Sequence, residues 1–131
     1  VHDAARALVP PALVSSAVAA LADGAEAVIP AIPVVDTIRC VAPDNPNLAE
    51  ALLDRTRLRA IQTPQGFMRT VICRAHEEAA RANREATDDA ALVADLGVPI
   101  SLVAGDEIAG KITTAIDLAL AEVLLAAEGG S

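Results

Sequence analysis

The chain carries nine arginines but one lysine, Lys111, which follows a Gly105-Asp106 turn signal and stands directly ahead of an apolar helical stretch. An ammonium at such a place can stabilise charge on a transferring phosphoryl group, with Thr113 and Thr114 able to cap the helix or donate to oxyanions. A lone surface lysine is the plain alternative. Near the other end, His2-Asp3-Ala4-Ala5-Arg6 sets a carboxylate and a guanidinium just past Val1-His2, which reads as the end of a buried strand. Ligand sites in open α/β sheets lie at the carboxyl ends of strands. There an Asp can bind a divalent metal or a ligand hydroxyl, and an Arg can grip a phosphate. The same two residues also suit a structural ion pair or a solvated turn.

Two further groups carry chemistry. Thr87-Asp88-Asp89 reads as a helix start whose side chains can bind a polyol or help hold a metal, and capping explains them equally well. Asp54-Arg55-Thr56-Arg57-Leu58-Arg59 is a basic cluster that suits a phosphate, though charges on an exposed hairpin are commonly just solvated. His76 shares a helix face with Glu77, Glu78 and Arg84 and reads as surface. Nothing resembles a nucleophile–base triad, a P-loop or a GxGxxG, so acyl transfer and dinucleotide binding lack support.

The elements that must position these residues follow an α/β rhythm. Pro10-Pro11 opens a helix that runs to Ala22 and closes at Asp23-Gly24, with Leu13, Val14, Val18 and Leu21 on one apolar face. Ala25–Ile32 is a short apolar run between turn signals, the pattern of a buried strand. From Pro33 to Gln62 the rhythm fails: Val34–Val41 reads as a strand, Pro43–Asn47 as a turn cluster and Leu58–Gln62 as a returning strand. That excursion is expected to be a hairpin arm that needs a partner surface, because an isolated hairpin is marginal in water. Met68–Arg84 has amphipathic helical spacing, Ala90–Leu96 a helix ended by Gly97, Val98–Val103 a strand, and Ala115–Ala127 a last helix.

Composition narrows the function classes. The chain has 131 residues, 53% hydrophobic and 21% charged, which suits a folded domain rather than disorder. Phe67 is the only aromatic, so a base-stacking platform is excluded, and the net charge of −8 repels nucleic acid and anionic membranes. Neither a nucleic-acid nor a membrane partner is expected. Cys40 and Cys73 lie in no CxxC and are expected as thiols of a cytoplasmic protein. The opening residues do not read as a secretory leader, and Leu118–Ala127 is too short to span a bilayer.

His2-Asp3-Ala4-Ala5-Arg6, Asp36-Thr37-Ile38, Asp54-Arg55, Gln62-Thr63-Pro64-Gln65-Gly66-Phe67, Ala86-Thr87-Asp88-Asp89, and Lys111-Ile112-Thr113-Thr114 with Asp117-Leu118 resemble, in that order, a known enzyme family. It is the 2-C-methyl-D-erythritol 4-phosphate cytidylyltransferases of the non-mevalonate route to isoprenoid precursors. The likeness runs from Val1 to about Leu125. Each motif alone is weak; six in order are specific.

The resemblance implies a Rossmann-like nucleotidyltransferase α/β fold, present in part, with a projecting β-hairpin arm (33–62) for homodimerisation. Residues 1–131 would be the carboxyl-terminal part of a single domain whose CTP-binding amino-terminal part lies outside them or is supplied as another chain, so that this chain alone is expected to be inactive. The implied reaction is in-line attack by a polyol phosphate on the α-phosphorus of CTP, with Mg²⁺, releasing pyrophosphate. By motif position Asp3 would organise metal and ligand, Arg6 and Thr87 would contact the methylerythritol phosphate, and Lys111 would stabilise transition-state charge. Thr37, Arg55 and Thr63 would serve the partner subunit's substrate. A ribitol phosphate cytidylyltransferase and a catalytically inactive dimerisation module are the alternatives. Two positions depart from the family pattern: Ala109 stands where an Asn is frequent two residues before the lysine, and Ala7 where a proline is common.

Overall fold

The computed structural model describes residues 1–84, 86 and 88–128. The first helix, α1 (Pro11–Ala22), is capped by Pro10 and begins with Pro11, where a missing N–H costs nothing. It buries Leu13 and Ala17 and leaves Val14 and Val18 exposed. Gly24, at φ +105°, turns the chain into β1 (Ala27–Pro33), whose first five residues are all buried. A run buried at consecutive positions must be covered on both faces.

β1 organises the sheet. β6 (Ser101–Ala104) runs parallel to it, Val28 to Ser101 through Ala31 to Ala104. Two antiparallel strands share its other edge in succession: β4 (Arg59–Ile61) opposite Ala31–Pro33 and β5 (Gly66–Phe67) opposite Ala27–Val28. Val28 and Ala31 each pair with partners on both sides, so the edges are distinct. The faces are distinct as well, since successive strand residues point opposite ways. A side chain at Gly66 would meet Leu21 and Ala17 of α1, whereas Phe67 packs on the other cluster.

That cluster joins Ala27 and Val98 to Val71 and Ala75 of α2 (Arg69–Arg81) and to Leu92 and Val93 of α3 (Asp89–Asp95). Val93 is fully buried, worth about 1.5–3 kcal/mol for a side chain of this size. Asp88 caps α3 through Ala91 N–H at 2.8 Å, and Gly97 closes it at φ +75°. Asn83, at φ 49°, ends the turn after α2, a conformation Asn tolerates better than most residues. His76 is exposed but not idle: its Nε2 lies 2.7 Å from Asp89 Oδ1, tying α2 to the start of α3. Periodicity along one helix does not reveal such a partner. Cys40 and Cys73 are unpaired and exposed.

The Pro33–Gln62 excursion contains a hairpin, but not the expected pairing: the segment read as its returning strand, Leu58–Gln62, supplies β4 on β1, and the outgoing strand pairs instead with residues 45–52 in a separate two-stranded sheet. Only Arg39–Ala42 (β2) is strand on the outgoing side; Val34–Ile38 have no ladder partner. The turn contracts to Pro43-Asp44, and Asn45–Leu52 (β3) is already strand, so Asn45-Pro46-Asn47 belongs to the ladder rather than the turn. Pro46 is accepted because a two-stranded sheet leaves outer edges that need no donor. Every residue of β3 is exposed. Val1 exchanges backbone hydrogen bonds of 2.7 and 2.8 Å with Gln65, the reciprocal pattern of an antiparallel pair.

The last helix, α4 (Ala115–Glu128), begins with a reciprocal cap. Asp117 Oδ2 accepts from Thr113 N–H at 2.9 Å and Thr114 N–H at 2.7 Å, and Thr114 Oγ accepts from Asp117 N–H at 3.2 Å. These bonds, the Thr113 backbone first, hold the Asp117 carboxyl down to about 2. Thr113 and Thr114 are both engaged in this cap. Because the folded value lies below the ordinary 3.8, this stabilisation is complete above 3.8 and disappears as the pH falls through about 2. An NMR titration of Asp117 with a midpoint near 3.8 would contradict the cap. Thr114→Ala should cost about 1 kcal/mol in chemical denaturation.

Candidate active site at the Asp3–Lys111 pair

The site is assembled from loops that leave the sheet around β1. A turn over residues 3–6, closed by Arg6 N–H to Asp3 C=O at 2.9 Å, draws the Asp3 carboxylate back so that Oδ1 accepts from Ala5 N–H at 3.0 Å. Its other oxygen meets Lys111 Nζ at 2.9 Å. The hydrogen bond from Lys111, then that from Ala5, then the charges of Lys111 and Arg6, hold the Asp3 carboxyl below its ordinary value. Both side chains are open to solvent, 33% for Asp3 and 49% for Lys111. A pair so exposed contributes little to stability. Of the three donors on the ammonium, one is used on Asp3, and the others are available to a ligand.

Arg6 joins this pair, and so does Thr63, which the resemblance assigned with Thr37 and Arg55 to the partner subunit's substrate but which here bonds Asp3 of its own chain. Thr63 Oγ accepts from Asp3 N–H at 3.0 Å and lies 2.8 Å from His2 Nδ1. Arg6 donates to Ala109 C=O at 2.7 Å and to Ile61 C=O at 3.1 Å. Its guanidinium therefore bridges the residue two before Lys111 to the residue two before Thr63.

The arm residues stand apart from this group. Arg55 follows Asp54, whose carboxylate accepts from the Thr56 hydroxyl at 2.7 Å and the Thr56 N–H at 3.0 Å; the hydroxyl first, then the backbone, lowers its pKa. Arg55 itself donates to Val35 C=O at 2.6 Å, and with Arg59 it lines an open recess. Thr37 is exposed. No hydrogen bond or ion pair joins Thr37 or Arg55 to Asp3 and Lys111 among the described residues. Thr87 lies outside the described residues; its neighbour Asp88 accepts from Gln65 Nε2 at 3.0 Å.

Gln62 and Gln65 stand in one of the six motifs, but the sequence assigns neither a role. Both are buried, and they are the chain's only two glutamines, flanking Thr63-Pro64 between apolar neighbours. Two amides at the foot of a strand, in a chain with no other Gln, are the signal that could have found them. As for a metal, no cluster of three His, Cys, Asp or Glu side chains exists among the described residues. Asp3 offers one ionised, partly exposed carboxylate. That fits a Mg²⁺ carried in on nucleotide phosphates, which takes one or two carboxylates from the protein, rather than a resident metal centre.

The mixed α/β sheet carries an arginine, a carboxylate and a lysine in one open cluster, and its fold is that of solved structures of the nucleotidyltransferase class. The family model for 2-C-methyl-D-erythritol 4-phosphate cytidylyltransferase matches residues 1–127, and the chain belongs to that family. A relative of that name from Nocardia farcinica is 52% identical over 125 residues, 95% of this chain and 52% of the relative. One from Saccharopolyspora erythraea is 51% identical over 126 residues, 96% of this chain and 54% of its own. The crystal structure of the cytidylyltransferase from Thermus thermophilus superposes with a TM-score of 0.82 at 41% identity, covering 94% of this chain and 59% of that one. The chain thus spans about half the length of the curated relatives it matches.

Replacing Lys111 with Met keeps most of the unbranched apolar stem and removes the charge. The Asp3 carboxyl should then titrate nearer its ordinary 3.8 in an NMR pH series. A midpoint that does not move would mean that the pair does not form in solution.

Proposed function

We propose that this chain contributes to cytidylyl transfer from CTP to 2-C-methyl-D-erythritol 4-phosphate, yielding the CDP-linked product and pyrophosphate in isoprenoid precursor synthesis. The observation that carries the reading is the open Asp3–Lys111 pair, braced by Thr63 and Arg6, in a chain of that family. A phosphate oxygen of the acceptor forms the new bond to the α-phosphorus of CTP, and the bond to the bridging oxygen breaks as pyrophosphate leaves. Such a displacement needs cationic charge around phosphorus rather than a covalent nucleophile. Mg²⁺, when bound with the nucleotide and Asp3, supplies part of that charge. Lys111 supplies the rest from the protein side, and its free donors face solvent from which a phosphate approaches.

Because the chain spans half of its relatives, the complete site in this reading includes a CTP-binding part beyond these residues. Thr87 and Arg6 complete the acceptor's surroundings. Arg6 spends two donors on Ala109 and Ile61, so its contribution is to hold the loop as well as to offer positive charge. Thr37 and Arg55 act in a second subunit's site, reached by the β2–β3 hairpin, where Val41, Leu48 and Leu52 are exposed apolar residues awaiting cover. A homodimer in the cytoplasm is part of the same reading. The described helices include none long and apolar enough to cross a membrane.

Calorimetry of the full-length polypeptide with 2-C-methyl-D-erythritol 4-phosphate is the direct test, with ribitol phosphate as competitor. Saturable binding that Lys111→Ala weakens supports the reading; no heat, or preference for ribitol phosphate, overturns it. In the full-length polypeptide the same substitution should lower kcat roughly 100- to 1,000-fold, as for loss of a transition-state charge partner. Light scattering should give a dimer that Leu48→Asp with Leu52→Asp converts to monomer; an unchanged mass would remove the hairpin from the interface.

A further inference from the structure

Gln62 stands at the end of β4, 3% exposed, and both ends of its amide are spent on one residue's backbone. Its Nε2 donates to Asp106 C=O at 2.7 Å, and its Oε1 accepts from Asp106 N–H at 3.0 Å. Its own N–H donates to Pro30 C=O at 2.8 Å, which pins it to β1. The fit has no slack, because a side chain at Gly105 would collide with the Gln62 amide and with Ile32. Asp106 in turn begins the segment that ends at Lys111: its carboxylate accepts from Ile108 N–H at 2.9 Å and its carbonyl from Ala109 N–H at 3.0 Å. The next residue, Thr63, holds Asp3 by its backbone N–H. Two adjacent residues therefore anchor the two partners of the ion pair, one each.

We propose that Gln62 is a positioning residue for the reaction, setting the 106–112 loop so that Lys111 faces Asp3 and the transferring phosphoryl group. This rests on the reading of Lys111 given above. The amide does what neither an apolar nor a charged side chain of that size does: it donates and accepts at once, and so fixes the rotation of the Asp106 backbone as well as its place. Gln62→Met removes both bonds at equal length. Gln62→Glu keeps the acceptor but restores the donor only when protonated.

Two measurements test the inference. In amide hydrogen exchange on this chain, Gln62→Met should speed exchange at Asp106, Ile108 and Ala109 by at least roughly tenfold, while Val28 and Ile29 of β1 stay protected. In the full-length polypeptide, Gln62→Met should lower kcat about 10- to 100-fold with KM within about twofold, as for a displaced catalytic group. Gln62→Glu should regain kcat, as a ratio to wild type, as the pH falls. Unchanged exchange in the loop, exchange that rises equally in β1, an unchanged kcat, or a pH-independent ratio for Gln62→Glu would each overturn the proposal. If wild type releases no pyrophosphate from CTP, the functional reading fails, and hydrogen exchange alone decides whether Gln62 sets the loop.

Discussion

The burial of β1 is the constraint from which the site follows. Five consecutive residues, Ala27 to Ala31, lie in the interior, so α1 covers one face and the α2–α3 pair the other. Both edges are then open to pairing, and both are used. β6 takes one edge in parallel, while β4 and β5 take the other one after the other. A chain that serves two stretches of one edge must step out of the ladder between them, and here it steps out at Thr63-Pro64-Gln65. Those residues then look away from β1 toward whatever lies beyond the sheet. Thr63 meets Asp3 and His2, and Gln65 meets Asp88 and Val1.

The same topology brings in the lysine. β6 ends at Ala104, and Gly105 N–H still bonds Ala31 C=O at 2.9 Å before the chain turns away through Asp106 toward Lys111. Ile112 N–H closes the loop on Ala5 C=O at 2.8 Å. The Asp3 turn, the β4 end and the Lys111 loop are thus stitched by backbone carbonyls and amides as much as by charges. That division suits a phosphate-handling site. Neutral hydrogen bonds hold the scaffold, so the ammonium and carboxylate can remain exposed and exchange partners when a ligand arrives.

Much of the fold is legible from local chemistry. Pro10-Pro11, Gly24, Asp88 and Gly97 mark helix ends because their preferences act within one turn of backbone. The buried run of β1 and the amphipathic spacing of α2 read correctly for the same reason. The hairpin is legible at the right place but with the wrong returning strand, because Asn45-Pro46-Asn47 has the composition of a turn and only its pairing with β2 makes it strand. The buried glutamines are invisible to periodicity, which counts polar residues as outward.

By itself, the sequence determined which residues had the chemistry. A lone lysine among arginines, an Asp and an Arg in His2-Asp3-Ala4-Ala5-Arg6, and six ordered motifs named the candidates and the family. The tertiary structure alone decided what they touch. Lys111 reaches Asp3 across the chain, Arg6 spends its guanidinium on Ile61 and Ala109, and Gln62 grips Asp106. These bonds join residues far apart in sequence, and their geometry is set by strand register against β1, a property that no local stretch of residues encodes.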